Sequence, residues 1–279
     1  MTSSLCLSGN LRKLKHHLDA DNQVIYFLRL EKKDSGEKIE EDLNQYLGKK
    51  INLSFKNSIR CVACNRNIKK TFNNGYCFPC LQTLAECDTC IIKPELCHFD
   101  KGTCRDNDFA ANQCNIAHSI YLSLTSDLKI GITRQKQELS RWVDQGAVKA
   151  LRIVTVSRRY HAGLIENFLA AEMKDKTNWR KMLKSEYQDY DLKFEQEKLF
   201  DKINNNFKEI DFVWEQDQVV QDIKYPMIAG LDKITSLDFE KSPNIEGTLI
   251  GIKAQYLIFD IGVINIRKFS GYEIEMRQV

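Results

Sequence analysis

Residues 119–133 read Ser119-Ile120-Tyr121-Leu122-Ser123-Leu124, then Thr125-Ser126-Asp127, then Leu128-Lys129-Ile130-Gly131-Ile132-Thr133. Two apolar runs flank a polar tripeptide, which is the pattern of two strands joined in a hairpin. Working outward, Gln137 to Trp142 predicts a helix, and Asp144-Gln145-Gly146 reads as its structural end with Gly146 as a left-handed cap. Val148 to Val156 is rich in β-branched residues and predicts a third strand. Tyr160 to Met173 predicts a helix with Leu164, Ile165, Phe168 and Leu169 on one stripe. A further amphipathic helix is expected within 186–210, carrying Leu199, Ile203, Phe207 and Ile210. Residues 119–211 therefore read as a small α/β domain.

The flanks differ in grammar. Residues 1–60 predict a β-rich region, with strands at Val24–Leu28 and Ile51–Phe55, a polar turn at Lys33–Lys38 and a short helix at Glu40–Tyr46. Residues 212–279 predict a second β-rich region, with alternating runs at 247–252, 256–259 and 262–266. The two ends are expected to pair as one small barrel. Between the first flank and the α/β domain, residues 61–118 have few apolar runs but nine of the ten cysteines.

Cys61-x2-Cys64 and Cys77-x2-Cys80 form a C-x2-C-x12-C-x2-C pattern. Two residues between thiolates let both sulfurs reach one ion from a tight turn, and two such knuckles close a tetrahedral zinc site. Disulfides and redox-active pairs are the alternatives; the clustering and matched pairs favour metal. Cys87, Cys90, Cys97, His98, Cys104, Cys114 and His118 follow, more than one zinc needs. Cys87, Cys90, Cys104 and Cys114 are expected to hold a second ion, with Cys97 or His118 as substitutes and an iron–sulfur cluster as the alternative cofactor.

At 43% hydrophobic and 28% charged residues, the composition is of the ordinary globular kind. No apolar run approaches a membrane span, and the start, Met1-Thr2-Ser3-Ser4-Leu5-Cys6, shows no signal-peptide pattern, so a cytoplasmic protein without a membrane partner is expected. Net charge is +3, yet Ser119–Lys184 holds 13 Lys/Arg against 6 Asp/Glu. Such a local excess fits a polyanion site, or a solvated basic face.

The run Ile120-Tyr121-Leu122, Lys129-Ile130-Gly131-Ile132-Thr133, Arg141-Trp142 and Ile165-Glu166 resembles the GIY-YIG endonuclease superfamily. That resemblance implies roles for Tyr121 in positioning the attacking water, Gly131 in close backbone packing, Arg141 on the phosphate and Glu166 on a divalent cation, normally Mg²⁺. Lys129 stands in place of the second tyrosine, where it can bind a phosphate itself, and Ser119 in place of the first glycine; Asn178 is a candidate for the later asparagine. The whole chain also resembles the DUF2797 family of uncharacterised bacterial proteins. The carrying features are the two cysteine clusters, Lys129–Arg134, Arg141–Ala147, Asp175–Arg180 and the Gly-Ile-Lys-x-Gln-Tyr run at 251–256.

The expected fold is α+β: a zinc-knuckle segment, then a GIY-YIG-like α/β domain, with β-rich terminal regions. The expected function is action on nucleic acid, as a metal-dependent endonuclease that uses Tyr121, Lys129, Arg141 and Glu166. Arg134, Arg158, Arg159 and Arg180 are expected to contact DNA or RNA, with Lys176, Lys181 and Lys184 extending the track. A non-catalytic zinc-stabilised DNA- or RNA-binding module and an intracellular interaction protein are the alternatives. Individually, each residue also has a plainer reading: Glu166 as a solvated helix glutamate, Tyr121 as a core tyrosine, Trp142 as a helix–sheet seal.

Overall fold

In the computed structural model, which describes residues 6–33, 35–171, 173, 178–231 and 233–279, the chain opens with β1 (Cys6–Leu18). This strand escapes a period-2 reading because it is bulged. Its register against β2 (Val24–Glu31) shifts between Arg12 and Lys15, so Leu11 and Leu14 both turn into the core. β2 alternates cleanly, burying Val24, Tyr26, Leu28 and Leu30.

The helix expected at Glu40–Tyr46 is corrected: Glu40 lies in β3 (Lys38–Asp42), and only Asn44–Tyr46 turns, as one 3-10 turn. Side-chain bonds hold a non-helical path here and tie it to β2. Asp42 Oδ1 accepts from the Asn44 N–H at 2.8 Å, and Asn44 Oδ1 accepts from the Tyr26 N–H at 2.9 Å. β4 (Lys50–Ile59) then leads directly into Cys61.

Three short helices follow, α1 (Phe78–Thr83), α2 (Thr89–Ile92) and α3 (Asn107–Phe109), separated by 3-10 turns, and α3 runs on into a π-helical turn at Ala110–Cys114. The expected hairpin is present as β5 (His118–Leu124) and β6 (Leu128–Arg134), with Tyr121 opposite Gly131. α4 (Glu138–Gln145) ends at Gly146, whose φ of 75° is the left-handed cap the sequence called for. β7 (Lys149–Val156) pairs antiparallel with β5, and α5 (Arg159–Ala170) follows. α6 (Trp179–Lys184) is capped by the Asn178 side chain, and α7 (Leu192–Asn206) by that of Asp191. β8 (Phe212–Trp214) and β9 (Gln221–Asp222) both pair with β7. β10 (Asn244–Lys253), β11 (Tyr256–Phe259), β12 (Gly262–Asn265) and β13 (Tyr272–Gln278) complete the chain.

These elements form two compact units, one of residues 1–81 with 224–279 and one of residues 82–223. In the first, the two ends do pair, through β13 against β1 and β4 and β10 against β4. The product is an eight-stranded sheet in the order β12-β11-β10-β4-β13-β1-β2-β3, open at β12 and β3 rather than the barrel expected. In the second, an antiparallel sheet runs β6-β5-β7-β8, with β5 buried along its whole length. Its core joins Ile120, Leu122, Ile130, Ile132 and Ile153 to Ala162, Ile165 and Leu169 of α5 and Leu199 and Ile203 of α7. No helix among the described residues is long and apolar enough to cross a membrane.

Candidate functional site

β4 delivers the first knuckle. The Arg60 N–H bonds Gly271 O at 2.8 Å just before β13, so the approach to Cys61 is tied to the sheet. The chain then folds back with Asn65 at φ 58°, and the Asn65 N–H reaches Cys61 O at 3.0 Å. The second knuckle begins at Cys77, whose own N–H points at Cys61 Sγ from 3.2 Å. Gly75, at φ 132°, permits this return: a Cβ there would lie 2.5 Å from Val62 Cγ1.

The ligand sulfurs of Cys61, Cys64, Cys77 and Cys80 all lie within 4.8 Å of one another. Cys64 Sγ and Cys77 Sγ are 3.7 Å apart, matching the roughly 3.8 Å between sulfurs set tetrahedrally about a zinc with Zn–S bonds of about 2.3 Å. Burial pushes the Cys61 thiol up, but N–H groups of Cys64, Cys77 and Ala63 outweigh it and bring it down to about 6, toward the thiolate zinc requires. Four thiolates leave no open position, so this cluster suits a structural zinc rather than a catalytic one.

A second group of side chains gathers around Tyr121. With the side chain fully buried, its hydroxyl donates to Gln145 Oε1 at 2.9 Å. Gly131 supplies the room, since a Cβ there would come within 2.6 Å of the Tyr121 hydroxyl. The Arg141 guanidinium bonds the same hydroxyl, and the half-buried Glu166 on α5 lies within electrostatic reach of both. Burial and Glu166 raise the Tyr121 phenol while Arg141 and Gln145 lower it, leaving it pushed up to about 12 and neutral at ordinary pH. Trp142 meets the Tyr121 ring edge-on with centroids 5.9 Å apart, sealing α4 to the sheet. Residues from β5, β6, α4 and α5 thus converge: a phenol, a guanidinium and a carboxylate, beside the bare backbone of Gly131.

Gln145 is a participant that the sequence reading confined to a helix end. Its signal was its spacing, since Arg141 and Gln145 stand at i and i+4 on one face of α4. Also missed was a polar set buried at Ser119 and Glu138 and half-buried beyond them: Ser119 Oγ donates to Glu138, Arg152 bridges Glu138 and Glu215 at 3.3 Å each, and Thr155 donates to Glu215 at 2.7 Å. Lys129 is half-buried on β6, opposite Ser123.

Of the expected phosphate track, Arg134 and Arg159 lie near each other, since both act on Cys114 and on His118. Arg158 bonds Asp100 at 3.0 Å, and Arg159 turns inward to Ile91 O at 2.6 Å. Arg134 sits opposite His118 at the end of the hairpin. Arg180 is exposed and lies over the Trp179 ring, 4.3 Å from its centroid, with Lys181 exposed beside it and Lys184 3.7 Å from Glu186. Asn178, the candidate asparagine, caps α6 through its side chain. Asp175, Lys176 and Thr177 of the 175–180 run, like the opening residues Met1–Leu5, lie outside the described residues.

Within the second cysteine run, the ligand atoms of Asp88, Cys90 and His98 lie within 4.8 Å of one another. Asp88 accepts from Arg105 Nε at 2.8 Å and lies 3.4 Å from His98 Nε2. His118 is fully buried, with Nδ1 2.8 Å from Ile116 O, and burial together with Arg159 and Arg134 brings it down to about 4.

Residues 48–274 match the model of a family described as "Protein of unknown function (DUF2797)". No curated protein and no solved structure matched the chain. The match covers most of the chain, and the chain belongs to that family.

Proposed function

From the premise that the chain is a member of the DUF2797 family, we propose that it hydrolyses phosphodiester bonds of nucleic acid at the Tyr121–Arg141–Glu166 cluster. The observation that carries this reading is the convergence of those three side chains from β5, α4 and α5. Phosphodiester hydrolysis needs a cation on the phosphate, a carboxylate for a divalent ion and a group that orients water. Arg141 reaches solvent and supplies the first. Glu166 supplies the second; a hydrated Mg²⁺ is often held by one carboxylate plus substrate phosphate oxygens, and it would stabilise charge developing on the phosphate. Tyr121, neutral and anchored to Gln145, orients rather than abstracts a proton. Lys129 and the exposed Arg180, stacked on the half-buried Trp179, suit phosphate contact and base stacking. A zinc held by Cys61, Cys64, Cys77 and Cys80 would fix the knuckles and take no part in the chemistry.

Full-length protein incubated with Mg²⁺ or Mn²⁺ and labelled single- and double-stranded DNA and RNA tests this. Expected is metal-dependent cleavage that Glu166→Ala abolishes, with retardation of the probe retained. Binding without cleavage, unchanged in Glu166→Ala, would convert the proposal into a recognition module; neither cleavage nor binding would end it.

A further inference from the structure

We propose that Asp88, Cys90 and His98 form a second zinc site, one that keeps a position open to a ligand from solution. The first observation is that three different donors converge. A carboxylate oxygen, a sulfur and an imidazole nitrogen lie within 4.8 Å of one another, and no further Cys, His, Asp or Glu among the described residues joins them at that spacing. Asp88 and Cys90 belong to the start of α2, whereas His98 follows the Pro94–Leu96 turn. That turn packs on α5 at Gly163, where a Cβ would collide with Pro94 and come within 2.8 Å of the Glu95 nitrogen. The Asp88 side chain is diverted from the task its position suggests. It stands at the N-cap of α2 with the extended backbone of a capping residue, yet accepts no N–H of the helix. Its Oδ2 instead accepts from Arg105 Nε at 2.8 Å and lies 3.4 Å from His98 Nε2.

The second observation is the state of the imidazole. The Thr103 hydroxyl donates to His98 O at 3.3 Å, so it is the acceptor from His98 Nδ1, 2.8 Å away. The ring proton therefore sits on Nδ1, and Nε2 presents a lone pair to Asp88 and Cys90. A metal-ligating histidine is held in this way, its far nitrogen donating to an oxygen that fixes tautomer and ring orientation. Arg105 completes the outer layer, with Nη1 donating to Leu84 O at 3.0 Å while Nε holds Asp88. The neighbouring Cys104 thiol is engaged elsewhere, with Asp106 O at 3.4 Å.

Distance and charge decide between a metal and a proton. A proton on Nε2 would make an imidazolium–carboxylate pair, and such charge-assisted bonds run to about 2.7–2.9 Å. The observed 3.4 Å is longer, and it matches the roughly 3.4 Å between nitrogen and oxygen set tetrahedrally about a zinc with bonds of about 2.1 Å. One carboxylate and one thiolate also neutralise a divalent ion, whereas the four thiolates of the first cluster overcompensate it. Three protein ligands leave one tetrahedral position for water or a small anion. Asp88 and His98 keep 12% and 27% of their side-chain surface exposed, so solvent reaches the cluster.

Full-length protein grown with cobalt in place of zinc is the test, read by elemental analysis and by visible absorption. The expected result is two ions per chain, falling to one in Asp88→Asn and in His98→Gln. Thiolate-to-cobalt absorption should fall by only about a fifth in those variants, the share of one thiolate in five. Azide should shift the visible bands of the native chain and leave those of the variants unchanged. Should the variants fail to fold, the cadmium resonances of the cadmium-substituted native chain decide. Two signals are expected, one from a four-thiolate site and one from a site with a single sulfur, and azide should move only the second. An ion content that neither variant lowers, or a single cadmium signal, would overturn the proposal. So would a second ion bound through several thiolates, or one that azide leaves untouched.

Discussion

Tyr121 shows how one side chain's surroundings set its behaviour. Its phenol, held at about 12 against an ordinary value near 10, stays protonated in the folded chain where the unfolded chain ionises. Its contribution to stability is therefore complete below about pH 10 and is lost as pH rises toward 12, amounting to about 3 kcal/mol for a shift of two units. Tyr121→Phe should flatten the fall in urea-unfolding free energy between pH 10 and 12, while Tyr46 and Tyr272, also raised by burial, keep their share. An unchanged slope would show that Tyr121 is not the buried donor. At this scale the family resemblance singled out Tyr121, Arg141 and Glu166. It did not point to the Tyr121–Gln145 bond, because that depends on which way α4 faces the sheet.

At the scale of elements, β5, β6, α4, β7 and α5 were legible because each carries its own local apolar pattern, and α4 also its Gly146 cap. β1 was not, since its bulge breaks the alternation that marks a strand. The Glu40–Tyr46 stretch misled because its helix-like composition is overruled by side-chain bonds to the backbone. α5 offers a test in which two effects oppose. Replacing Gly163 by alanine favours the helix by about 1 kcal/mol. Overpacking against Pro94 costs typically 1–3 kcal/mol. The backbone nitrogen of Glu95 leaves little room to yield, so Gly163→Ala should lower the midpoint of thermal unfolding. A raised midpoint would mean that the Pro94–Leu96 turn is not seated on α5.

For the molecule as a whole, distant segments are joined by strand pairing and by buried side-chain bonds, and Gln255 is a clear case of the latter. Its side-chain amide accepts from the Leu14 N–H at 2.7 Å and donates to Leu14 O at 3.2 Å, replacing the strand partner that the β1 bulge removes. These bonds are buried and span 241 positions of sequence. Gln255→Met keeps much of the volume but leaves a buried donor and acceptor unmatched, at about 1–3 kcal/mol each. Chemical denaturation should show a loss of at least about 2 kcal/mol; a change within a few tenths would mean that water serves Leu14 equally well.

The sequence by itself determined what depends on neighbours a few residues apart. The Cys61–Cys64 and Cys77–Cys80 pairs, the 119–133 hairpin and the Gly146 cap are all set by local spacing and backbone preference. Only the tertiary structure decided that the sheet shared by the two chain ends is an open one and that Gln255 completes β1. The physical reason is common to both. Each is a contact between segments remote in sequence, made favourable by burial and by satisfying buried polar groups, and no local pattern records which distant partner will do so.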